Sequence, residues 1–94
     1  MPYSGRIVKI ALHSTADIGN ACKVQFWIAN SSGTFATFTE ELTGIDLSVA
    51  NTSDTATFST SSTFNEGDVV GVSIIKSVGN TANVQATIVW EYIV

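Results

Sequence analysis

Short stretches of strict apolar–polar alternation run through most of this chain, and they limit its fold more than any other feature. Over 5–14, Val8, Ile10 and Leu12 fall on one face, with Ile7, Lys9, Ala11 and His13 on the other. Over 22–29, Cys22, Val24, Phe26 and Ile28 alternate with Lys23, Gln25, Trp27 and Ala29. At the end, Val84, Ala86, Ile88, Trp90 and Tyr92 oppose Gln85, Thr87, Val89, Glu91 and Ile93. A period of two belongs to an extended strand, because successive side chains point to opposite faces. No window sustains apolar residues at helical spacing. The composition agrees. The chain has 12 Thr, 10 Val and 9 Ile but only 3 Leu and 1 Met. Branching at Cβ stiffens χ1 and suits a pleated strand.

Polar clusters punctuate these stretches. Asp17-Ile18-Gly19-Asn20, Asn30-Ser31-Ser32-Gly33, Asn51-Thr52-Ser53-Asp54 and Gly79-Asn80-Thr81 read as turns or loops. The turn at 30–33 predicts that the next strand returns as a hairpin. Strands are expected over 34–43, 45–49, 55–60 and 69–76, the first of these with Phe35 and Phe38 on opposite faces unless a bulge intervenes. Phe64-Asn65-Glu66-Gly67-Asp68 reads as a compact turn, with Gly67 at positive φ. Seven or eight short strands at this spacing predict an all-β, antiparallel β-sandwich. At 94 residues the chain makes a single domain, 1–94.

Composition also excludes function classes. Charged residues make up 13 %, about half the usual share, and the net charge is −4. That balance disfavours nucleic acid, whose phosphates call for Lys and Arg, and a polybasic membrane module. No apolar run approaches the ~20 residues of a membrane helix, and the first ten residues carry no signal-peptide pattern.

Chemistry-bearing residues are sparse. Glu40 and Glu41 are adjacent, so a strand sends them to opposite faces. His13 has no partner at a recognisable spacing. Cys22 sits among apolar residues as a small hydrophobe, and a single cysteine excludes an internal disulfide. Asp46, Asn51 and Asp54 surround one loop, but their spacing matches no standard calcium loop. No catalytic, metal or cofactor site is expected, and the chain is not expected to be an enzyme. The aromatic residues Trp27, Trp90 and Tyr92 read as core or interface anchors, with sugar stacking as the other option.

One feature asks for a partner. The last strand is apolar on both faces, with Trp90 and Tyr92 on one and Val89 and Ile93 on the other. The strand over 69–76 is similar. A monomeric sandwich hides one face of each strand, so the second faces are expected to lie against other copies of the chain.

Three phrases then carry a resemblance: Gly5-Arg6-Ile7-Val8-Lys9-Ile10, Phe64-Asn65-Glu66-Gly67-Asp68-Val69-Val70-Gly71-Val72-Ser73-Ile74, and Val89-Trp90-Glu91-Tyr92. Their order resembles small jelly-roll structural proteins of tailed bacteriophages, of the cyanophage type. Those are capsid decoration (cement) proteins or tail-fibre tips. The middle phrase is also similar to trimeric jelly rolls of the complement C1q and tumour necrosis factor type. The resemblance implies a jelly-roll-like homotrimer on the capsid exterior of a virion, clamping the major capsid protein. It implies Phe64, Gly67 and Asp68 as the turn into an inner strand, and Trp90 in the core or near the trimer axis. Ile93 belongs to the expected interface. Met1 lies just ahead of the first strand, which favours the shell over a fibre tip. The alternative is a receptor-binding or carbohydrate-binding tip, with an aromatic platform near Trp27 or Phe35. The family supplies no catalytic residues.

Overall fold

A computed structural model describes residues 1–29 and 35–93, and the side chains of these except 35–37. Seven strands are present and no helix is found among the described residues. They are β1 (Gly5–Ser14), β2 (Gly19–Ala29), β3 (Phe35–Leu47), β4 (Thr52–Thr57), β5 (Thr63–Phe64), β6 (Val69–Ile75) and β7 (Val84–Tyr92). All pairings are antiparallel.

Two sheets form an all-β sandwich. In the first, β1 is central, with β7 on one edge. Its other edge is shared by β4 and then β5, which lie end to end along β1. The link between them stays attached, because Phe58 N–H donates to Val8 O (2.8 Å) and Ile7 N–H to Ser62 O (3.1 Å). In the second sheet β2 is central between β3 and β6. β2 and β3 form the expected hairpin, though its turn at 30–33 lies outside the described residues. The chain crosses between sheets after β1, β3, β5 and β6. β1 thus pairs with β7 in one sheet and β2 with β6 in the other.

The core lies between β1 and β2. Ile7, Ile10 and Leu12 meet Cys22, Val24 and Phe26, joined by Ile18, Ile45, Leu47, Phe58 and Phe64. Phe26 and Phe58 pack edge to face across the sheets at 6.0 Å. This corrects the expected face of β1. The register against β7 slips between Ile7 and Lys9, leaving Val8 as the extra residue. The bulge reverses the alternation, so Ile7 joins Ile10 and Leu12 inside.

Two boundaries also differ from expectation. The strands expected over 34–43 and 45–49 are one 13-residue strand, β3. Gly44 sits at φ 69 where the register slips, so the chain bends without leaving the sheet. The turn expected at 51–54 is shorter: Asn51 takes the left-handed conformation (φ 59), and β4 begins at Thr52. Asn tolerates that region through its short polar side chain. Gly67 has φ 89, as the turn requires.

Candidate functional site

One flank of the sandwich is closed and the other is open. On the closed flank, β3 and β4 are tied together. Asp46 N–H donates to Asp54 Oδ2 (2.9 Å). Glu40, which faces the same way as the core, accepts from the N–H and hydroxyl of Ser59 (2.9 Å each) and from the buried Ser62 hydroxyl. Desolvation pushes the Glu40 carboxyl up, but the Ser62 and Ser59 hydrogen bonds together outweigh it and hold it below its ordinary value.

On the open flank, no hydrogen bond joins β6 to β7 among the described residues. The inward rows are Val70, Val72 and Ile74 on β6, set by pairing with Ile28, Phe26 and Val24. On β7 they are Val84, Ala86, Ile88, Trp90 and Tyr92, set by Ser14, Leu12, Ile10, Ile7 and Gly5. These rows should be core, yet all of the β7 row except Ile88 is exposed, with Trp90 at 38 %. A cavity of about 290 Å3 lined by Ile18, Ile74, Lys76, Asn80, Ala82 and Val84 opens at one end of this flank.

Four of the exposed large apolar residues, Ile74, Val84, Trp90 and Tyr92, lie on these inward rows. Val69, Ile75 and Val89 are exposed on the outer faces of the same two strands and Val78 and Ile93 just beyond their ends, against Tyr3, Phe38 and Val49 elsewhere among the described residues. The total accessible surface, 5339 Å2, is close to the about 5,200 Å2 expected for a monomer of this mass. The amount of surface is therefore ordinary, and what is unusual is its apolar character on one flank.

The outer edge of β7 is also unguarded. It has nine residues, no Pro, no Lys and no bulge of its own. Its one charge, Glu91, is paired with Arg6 (Oε1 to Nε, 2.7 Å). Natural edge strands carry charges, prolines or bulges that discourage pairing with another chain.

The residues singled out from the sequence fall into three places. Trp90, Tyr92 and Ile93 lie on the open flank. Phe64, Gly67 and Asp68 form a corner below it. Phe64 is buried, and Asp68 Oδ2 accepts from Asn65 N–H (2.8 Å) to fix the turn. Tyr92 joins the two places, packing edge to face on Phe64 (6.2 Å) and on Tyr3 (5.5 Å). Trp27 stands apart on the outer face of the second sheet, edge to face with Phe38 at 5.4 Å. The Phe35 side chain lies outside the described residues. The reading of the sequence missed Val84, Ala86 and Ile74 as exposed residues. Their alternation marks a core face, and only the splaying of β6 from β7 uncovers it.

The remaining chemistry-bearing groups are engaged locally. His13 Nδ1 is 2.9 Å from Ser53 Oγ. Cys22 Sγ is buried against Ile18 O (3.3 Å). Glu40 and Glu41 point to opposite faces, Glu41 accepting from Gln25 Nε2 at 2.7 Å. Asp46 is held below its ordinary pKa by the hydroxyl and N–H of Ser48. No group of three His, Cys, Asp or Glu is placed to hold a metal among the described residues. No helix of the structure is long and apolar enough to cross a membrane.

No protein-family model matches the chain, and comparison with curated proteins and with solved structures gives no significant match.

Proposed function

We propose that this protein is a self-assembling structural subunit, a homotrimer that closes its open flank against copies of itself. Following the resemblance in its three sequence phrases, its place is the exterior of a virus capsid, as a decoration protein that clamps neighbouring shell subunits. The observation that carries the assembly reading is the apolar flank between β6 and β7. The exposures of the nine large residues on β6, β7 and the segments that follow them, counted over both faces of these strands, add to about four whole side chains. That is on the order of 700 Å2, against about 800 Å2 per partner in a standard interface. A three-fold arrangement turns the same flank of each copy toward one axis, where two neighbours bury it.

Decoration then works by burial and avidity. Each trimer touches several shell subunits at once, so weak identical contacts combine. The proposed function needs no covalent chemistry. The test of the viral placement is quantitative mass spectrometry of purified particles from the source of the sequence. Hundreds of copies per particle support decoration. A handful places the protein in the tail, and none overturns the viral reading while leaving the assembly reading to be judged by mass.

A further inference from the structure

The outer face of the second sheet carries two adjacent rows of different chemistry. In one, register places Phe38 on β3, Trp27 on β2 and Gly71 on β6 side by side. In the next row, Glu41, Gln25 and Ser73 stand side by side in the same strand order. The rows are two residues apart on β2 and β6, or about 7 Å, and three apart on β3, where the register slips between Phe38 and Glu40. Gly71 has no side chain to cover the indole, and a cavity of about 340 Å3 opens there, lined by Trp27, Gly71, Val72 and Ser73. Phe38 stands on the other side of Trp27 and is 44 % exposed.

We infer that this face binds a neutral saccharide. A pyranose ring has an apolar C–H face and a rim of hydroxyls. The C–H face stacks on the aromatic row, whose π electrons are negative at the ring faces. The hydroxyls reach the neighbouring row, where Glu41 offers a carboxylate acceptor, Gln25 an amide and Ser73 a hydroxyl. The Gln25–Glu41 hydrogen bond of 2.7 Å holds both planar groups in place before a ligand arrives. Charge selects the class: the Glu41 carboxylate at the site repels acidic sugars. The rows belong to one sheet and centre on β2; Gly71 and Ser73 lie on β6 but face away from its inward row, so the inference does not rest on the assembly reading.

The test is an array of neutral and sialylated glycans, followed by calorimetric titration with the best neutral ligand. The expected result is neutral-glycan binding with a Kd below about 1 mM. Phe38→Ala and Gln25→Ala should each weaken it at least about tenfold, and Trp27→Ala should abolish it. Phe38 is an exposed residue on an edge strand, so its truncation leaves the fold intact and keeps the test valid if Trp27→Ala misfolds. Trp90→Ala should bind as the wild type does. Absence of neutral-glycan binding, preference for sialylated glycans, or unchanged affinity in folded Phe38→Ala would each overturn the inference. None of these outcomes bears on the mass of the assembly.

Discussion

At the scale of single residues, two positions hold the closed parts of the sandwich by different means. Glu40 gathers the Ser59–Ser62 link through hydrogen bonds from Ser59 and Ser62. Glu40→Gln should cost about 1–2 kcal/mol in denaturant unfolding, since it replaces charge-assisted bonds with neutral ones. Its folded pKa is lowered, so its contribution to stability is full above the unfolded value near 4.5. That contribution is lost as pH falls through the lower, folded value. The Tm of the wild type should therefore drop more steeply below pH 4.5 than that of Glu40→Gln. Parallel acid limbs would mean that the link does not depend on the carboxylate. Gly5 acts by having no side chain. A Cβ there would lie 2.0 Å from the backbone oxygen of Glu91, so Gly5→Ala must push β7 away from β1. Thermal unfolding should register a loss of roughly 1–3 kcal/mol; an unchanged Tm would contradict the close pairing at this end.

At the scale of elements, β7 decides most of the account. In a single chain Trp90 is not a core residue, because it is 38 % exposed. Trp90→Ala should cost the isolated sandwich less than the loss of a fully buried aromatic would, and should weaken self-association as well. The two effects separate by measuring Tm and mass over a dilution series. Ala86→Lys puts a charge on the inward row of the open flank at an already exposed position. It should produce folded monomers with unchanged far-ultraviolet circular dichroism. Much of this element was legible in the sequence: Val84, Ala86, Ile88, Trp90 and Tyr92 lie on one face, as alternation predicts. The phase of β1 was not legible, because the bulge at Val8 inverts the pattern and nothing in Ile7-Val8-Lys9 announces it. Nor could alternation distinguish 34–43 plus 45–49 from one bent strand, since the slip at Gly44 is set by pairing with β2. For the candidate sites, the sequence pointed to Trp27, Trp90, Tyr92 and Ile93. The polar row of Gln25, Glu41 and Ser73 comes from three strands and exists only once register is fixed.

At the scale of the whole molecule, the sandwich is asymmetric. One flank is tied by Glu40 and Asp54, and the other leaves an apolar cleft and an unguarded edge to the solvent. A net charge of −4 spread over few charged residues gives little repulsion between copies. Burying the cleft is then the principal driving force, and the association should strengthen with kosmotropic salts such as sulfate. The most direct measurement of the central claim is the solution mass by sedimentation velocity, from micromolar to about 100 µM. Closure of the open flank by copies of the chain predicts a species of about 30 kDa, three times the 9.9 kDa polypeptide, which Ala86→Lys returns to monomer. A wild type that stays at 9.9 kDa across that range, with its β7 flank open to solvent, would contradict the account.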